Sequence, residues 1–345
     1  MKKRVLEIMV VLFLLNFVAC GIGEAAERVD LSFSIHDPAQ SAKTQFYYRL
    51  ADKAREVSDG RVNITVYPGG TLLAATDVAE GILSGAADIG WLFTTFFPGQ
   101  FPITEVVTLP FILDNNITGA KVLHDLYRES EAMRNELSKY KVLQLYCNPI
   151  NHIFSLEPIR TVSDLRGKTL RATAGVPTDM LTLWDANPIL QGPGDIYQSI
   201  QRGVINAFVF EWSGVDGFNL GEVVNYCTEI PFYVGVFLCV MNLDKWNSLP
   251  EDVKAVLEEV WIGPNFQASM EMADIFYADM LHGRNRATQT QNVITITPTA
   301  EELATFKPAI DKYIAGWIQR MTTDTFDAQA YVNRVLELAE KHKAD

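Results

Sequence analysis

Cysteine is scarce in this chain, with four residues in 345, and none of them stands in a CxxC pair. Histidine is nearly as rare, with five, and no HxxxH occurs. These gaps remove the usual zinc spacings, so no structural metal and no cofactor site is expected. There is no G-x-S-x-G elbow and no glycine-rich phosphate loop; Gly192-Pro193-Gly194-Asp195 reads as a turn into a helix. The adjacent Glu258 and Glu259 face different ways on a helix and make no acid–base pair. Nothing in the pattern points to an enzyme. Positive charge is also short: 29 Lys and Arg against 42 Asp and Glu give a formal charge of −13. That excludes a nucleic-acid surface, which needs basic patches, and disfavours an anionic membrane face. An acidic protein that binds an anion must use a local cation, so each arginine in a concave place matters.

Long apolar runs are absent apart from one. Met1-Lys2-Lys3-Arg4 is a basic start, and Ile8 to Ala19 is apolar. The run is shorter than the ~20 residues that span a bilayer, and small residues follow it. Residues 1–26 therefore read as a secretory signal peptide, with cleavage near Ala25 or Ala26, or with Cys20 as a lipidated N-terminus. Without Cys20 the cysteines are Cys147, Cys227 and Cys239, an odd number. Cys227 and Cys239 are the candidate pair, but the apolar run around Cys239 favours buried free thiols.

What is present is alternation between strand and helix. Val29 to Ile35, Arg61 to Tyr67 and Ala87 to Trp91 read as strands, with helices over 39–57 and 75–83 between them. That order predicts a parallel sheet covered by helices. The pattern restarts with strands over 140–147, 152–155, 169–172 and 205–210, and with helices over 177–184 and 195–202. A strand returns over 234–241, and Pro250 opens a long helical stretch with a possible break at Gly263-Pro264. Residues beyond the leader exceed one comfortable core, so two lobes are expected. No flexible tether separates them. They are expected to be joined by crossing strands and a long helix, which suits closure around a ligand.

The motifs, taken together, resemble a known family. Val66-Tyr67-Pro68-Gly69-Gly70, Gly81 to Gly90, Leu109-Pro110-Phe111, Ser163 to Arg171, Ile196 to Ala207, and Met241 to Val253 occur in the order found in solute-binding proteins of TRAP transporters, the DctP type. Two positions depart from that pattern. Thr169 stands where the "K-x-R" lysine belongs, and Phe210 stands where many members carry a ligand-bonding asparagine. The resemblance implies a two-lobed periplasmic-binding-protein fold around a cleft. It implies lobe I over 27–147 and 237–276, lobe II over 148–236 and 277–304, a connecting helix over 250–291 and a helical tail over 305–345. It further implies a monomer in the periplasm that hands a small organic carboxylate to membrane permease subunits. An ATP-driven transporter, or an aliphatic or C4-dicarboxylate ligand, is the alternative.

The resemblance gives Arg171 the ligand carboxylate, and the chemistry agrees. A planar guanidinium makes two parallel bonds to a carboxylate and fixes its orientation. Loops at the carboxyl ends of parallel strands face a crevice, which nominates His36, Trp91 and Phe93. Phe210 and Trp212 offer stackable faces unless they pack in a core. Asn151 and Tyr233 border the expected cleft. The ligand expected from this set is a carboxylate on a flat, apolar body, such as an indole or phenyl acid, or a 2-oxo acid.

Overall fold

Residues 27–343 are described by the computed structural model. The leader over 1–26 and Cys20 lie outside the described residues. Among the described residues no helix is long and apolar enough to cross a membrane. The strands are β1 (Val29–Ser34), β2 (Val62–Tyr67), β3 (Ile89–Phe93), β4 (Tyr140–Cys147), β5 (Asn151–Ser155), β6 (Thr169–Ala172), β7 (Asn187–Leu190), β8 (Ala207–Phe210), β9 (Tyr226–Tyr233), β10 (Val236–Asn242) and β11 (Ile294–Ile296).

The lobe I sheet runs β2-β1-β3-β10-β4. Alternation along β1 sends Leu31 and Phe33 into the core. Helix α1 (Ala42–Val57) begins where the Ser41 side chain accepts the Thr44 amide. Helix α2 (Val78–Leu83) covers the other face, pressed over Gly90, where any side chain would strike Val78 and Ile82. β1 is parallel to β2 and β3, but β10 is antiparallel to β3 and β4. The expected parallel sheet is thus a mixed one. The added strand returns from the other lobe, so it enters the sheet from the opposite end. Helix α3 (Asn116–Glu129), in a stretch that carried no element in the sequence reading, packs Leu123 and Leu126 into the same lobe.

The lobe II sheet runs β11-β9-β5-β8-β6-β7, with helices α4 (Val176–Leu183), α5 (Ile196–Gln201) and α6 (Trp212–Gly217). Two of its strands escape the sequence pattern because each contains proline. Pro231 lies in β9, which is not a strand interior that periodicity would nominate. The pairing with β5 shifts there, from Asn151↔Tyr233 to Ile153↔Thr228, and His152 Nδ1 meets the Ile230 carbonyl at 2.8 Å inside the irregularity. Pro188 sits in β7, an edge strand that tolerates it.

Two crossings run directly from strand to strand among the described residues: β4 into β5, and β9 into β10. At the crossing, Asn148 N–H donates to the Gly235 carbonyl (3.0 Å), and Gly235 N–H donates to the Asn148 side chain (2.6 Å). The connecting helix expected over 250–291 is not continuous. Helix α7 (Glu251–Leu257) passes through a π turn and ends at Gly263 (φ 69°), and α8 (Gln267–Thr290) starts anew. Gly263-Pro264 enforces that break. Helix α8 buries Met272 and Phe276 in lobe I and Ala287 in lobe II. The tail also serves both lobes: α9 (Lys307–Met321) buries Ile310 in lobe II, and α10 (Ala328–Lys343) buries Val335 and Leu338 in lobe I.

Cys147, Cys227 and Cys239 are all free and buried. Cys227 lies in the lobe II core and Cys239 in the lobe I core, so the candidate pair does not form. Labelling with a thiol reagent is expected to find no reactive cysteine among these three in the native protein and all three after denaturation. A second expectation concerns Gly283 of α8. A Cβ there would run into the main-chain carbonyl of Trp212, which cannot swing aside as a side chain would. Gly283→Ala is expected to cost ~1–3 kcal/mol in urea unfolding, as overpacking does.

Candidate functional site: the cleft between the lobes

The lobe II wall is built at the carboxyl ends of β6 and β8, which run parallel with Arg171 opposite Phe208. Arg171 is 2% exposed. Its Nε donates to the Gln191 carbonyl (2.8 Å) and its Nη1 to the Val209 carbonyl (3.1 Å). The guanidinium lies 5.2 Å from the centre of the half-buried Phe210 ring. Two main-chain carbonyls and an aromatic face hold the group in place, but none carries a full negative charge. Among the described residues no carboxylate pairs with it. Burial lowers its pKa to about 10, with the Tyr233 hydroxyl opposing, so it stays cationic at neutral pH. Tyr233, 4% exposed, places its hydroxyl 3.4 Å from Thr173 Oγ1. Burial pushes its pKa up to about 12, against Thr173 and Arg171, and it remains a neutral donor.

Beside Phe210, Glu211 is buried and accepts the Ser213 and Gly214 amides at 2.5 and 2.8 Å, capping α6. Its neighbour Trp212 is fully buried and meets Phe154 edge-on at 4.7 Å. Trp212 is therefore part of the lobe II core and presents no face to the cleft. Asn151 is buried too. Its side chain donates to the Tyr233 carbonyl (3.3 Å) and ties β5 to β9 at the lobe border.

The lobe I wall lies at the carboxyl ends of β1 and β3. His36 lies tilted against Trp91 (4.6 Å between centroids, 31° between planes) and meets Phe96 edge-on (5.7 Å). Trp91 is 1% exposed, donates its indole N–H to the Tyr146 hydroxyl, and stacks on Phe237 at 4.8 Å. It forms the floor beneath His36 rather than the surface. Phe93 stacks on the other end of Phe237 at 4.5 Å, against the crossing at Gly235, where a Cβ would strike its ring. His36 Nδ1 is buried without a hydrogen-bond partner, and burial lowers the imidazole pKa, Asp37 opposing and Lys43 assisting.

Lys43 of α1 was not singled out by the sequence. Its Nζ lies 3.4 Å from Asp37 and 3.8 Å from Asp279 of α8, and 4.7 Å from the centre of the Phe276 ring. Burial works against its charge, but Asp37, Glu211 and Asp279 together raise its pKa. No local signal marks Lys43, because its partners come from three separate segments. Glu211 carried no local signal either: glutamate is not among the usual N-cap residues, although its carboxylate caps α6 here.

Comparison with known proteins adds the following. The family model described as "Bacterial extracellular solute-binding protein, family 7" matches residues 33–320. The chain is 26% identical to an outer membrane transporter protein, TsaT, of Comamonas testosteroni over 231 residues, which is 65% of this chain and 67% of that protein. It superposes on a TRAP periplasmic solute-binding protein from Desulfovibrio salexigens with a TM-score of 0.81 at 26% identity, covering 92% of this chain and 97% of the other. The latter is an open complex with a symmetry mate's C-terminus in its ligand-binding site. A TRAP solute-binding protein from Rhodoferax ferrireducens, in complex with copurified benzoate, superposes with a TM-score of 0.82 at 23% identity, covering 92% and 99%.

The Lys43 cluster sets a stability test. Removing this cation strands three acidic neighbours at a site where Lys43 is 14% exposed, and the loss of one partner of such a set costs ~3 kcal/mol. Burial already raises the Glu211 and Asp279 pKa values, so both acids favour the folded state when protonated and oppose it when ionised. The Lys43→Ala penalty should therefore be small near pH 4 and grow as pH rises past the ordinary carboxylate range. Urea melts at pH 4.5 and 7.5 read this directly; a pH-independent penalty contradicts it.

Proposed function

Because the chain belongs to family 7 of the bacterial extracellular solute-binding proteins, the receptors of TRAP transporters, which bind small carboxylates and work with a membrane permease, we propose that it captures an organic acid with an apolar, aromatic body. The observation that carries this reading is Arg171: a buried cation, positioned by two main-chain carbonyls and without a counter-charge among the described residues. Desolvation of such a cation is costly, and a ligand carboxylate arriving in a closing, water-poor cleft offsets that cost.

The neighbours support the body of the ligand. Phe210 lies over the guanidinium and offers its exposed part to a flat ring. Tyr233 and Thr173 supply hydroxyls near the carboxylate position. On the opposite wall His36 stands in front of Trp91, flanked by Phe96, with Phe93 nearer the crossing. Benzoate in the Rhodoferax ferrireducens protein is consistent with an aromatic acid here. The protein is read as an exported monomer that releases its ligand unchanged, and size-exclusion chromatography and ligand recovery after incubation test those two points.

Isothermal titration of natively purified protein against benzoate, phenylacetate, indole-3-acetate and branched-chain 2-oxo acids tests the reading. Arg171→Ala is expected to weaken binding by ~2–5 kcal/mol, about 30- to 5,000-fold. Arg171→Met keeps apolar volume and should lose binding equally while remaining folded by circular dichroism. Tight binding of a neutral sugar, indifferent to either substitution, would sink the proposal.

A further inference from the structure

The cleft holds two kinds of cation. Arg171 has no acidic partner among the described residues, whereas Lys43 is already surrounded by Asp37, Asp279 and Glu211. The two walls are linked through near neighbours: Tyr233 feels both Arg171 and Glu211, Glu211 feels Lys43, and His36 feels Lys43 and Asp37. The lobe I side of the site therefore carries one lysine against Asp37 and Asp279, and Glu211 of the lobe II wall acts on the same lysine. Like charges at short range in a poorly hydrated place repel strongly, so a second anionic group finds no welcome there.

Polar capacity of another kind is free at that end. The His36 ring is clamped between Trp91 and Phe96, and its Nδ1 is buried without a partner. Thr95 Oγ1, beside Phe96, is likewise buried and unbonded. A neutral imidazole has one donor and one acceptor, and a hydroxyl has both. These groups suit a neutral hydroxyl or carbonyl and do not supply a positive charge.

We propose that the cleft selects monocarboxylates whose far end bears a neutral hydrogen-bonding group, read by His36, and rejects dicarboxylates. This rests on Arg171 as the carboxylate anchor.

The test uses matched aromatic acids in isothermal titration at pH 7.5: benzoate, the three hydroxybenzoates and the three benzenedicarboxylates, with succinate as an aliphatic diacid. The best hydroxybenzoate is expected to bind at least tenfold tighter than benzoate, and every diacid at least 100-fold weaker than it. His36→Phe, which preserves a ring on Trp91, should collapse the hydroxybenzoate-to-benzoate ratio to about one, and His36→Gln should retain part of it. Asp279→Asn should narrow the gap between mono- and dicarboxylates. A wild-type protein that binds succinate or a benzenedicarboxylate as tightly as a monoacid overturns the proposal, as does an unchanged hydroxyl preference in His36→Phe. If Arg171→Ala leaves all affinities unaltered, or if no acid binds at all, the carboxylate anchor itself fails and this inference falls with it.

Discussion

Asn148 and Gly235 exchange two hydrogen bonds at the point where both crossing segments leave one sheet for the other. Much of the rest follows from that junction. Because β4–β5 and β9–β10 are paired up to it from both sides, the two sheets are held together there, and the cleft opens beside it. Gly235 has no side chain, and the space is taken by the Phe93 ring, which continues into the stack of Phe237 and Trp91 under His36. On the other side, Tyr233 and Asn151 sit at the strand ends that lead to Thr173 and Arg171. The junction thus sets the spacing of the two walls. Helix α8, buried in both lobes, and the tail helices α9 and α10 brace it from outside.

The electrostatics of the cleft are asymmetric for a physical reason. Main-chain carbonyls can orient a guanidinium without neutralising it, so Arg171 keeps a charge that no carboxylate among the described residues pairs with. Lys43 is treated in the opposite way, its charge taken up by acids from three segments. On the proposed reading, a chain with a formal charge of −13 can in this way hold an anion: one basic group stays unpaired with any carboxylate among the described residues, while most of the acid lies elsewhere.

How far this was readable from residues alone varies by element. β4 and β6 emerge with the limits that the sequence pattern predicts, since turn residues bracket them: Gly167 precedes and Gly175 follows β6, and Asn148-Pro149 closes β4. β7 and β9 were invisible because a proline interrupts each, and the structure shows where the proline is tolerated: at an edge in one case, at a pairing shift in the other. The aromatic residues were the hardest to place. Trp91, Phe93, Phe210 and Trp212 all stand near strand ends, but the structure buries Trp212 against Phe154 and leaves Phe210 partly open above Arg171. Two positions along the chain separate core from cleft, because β8 ends at Phe210 and Trp212 already opens helix α6, which turns its side chain into the lobe II core.

Sequence alone determined the two α/β units, the lack of metal and phosphate motifs, the family resemblance and the candidacy of Arg171. These depend on local order along the chain: periodicity, turn residues and motif spacing. Tertiary structure alone decided that Arg171 pairs with no carboxylate among the described residues, that Lys43 has several acidic partners, that Trp91 is a floor and Trp212 a core residue, and that Cys227 and Cys239 are in different lobes. Each of those facts is a distance between segments far apart in the chain, and no local pattern encodes such a distance.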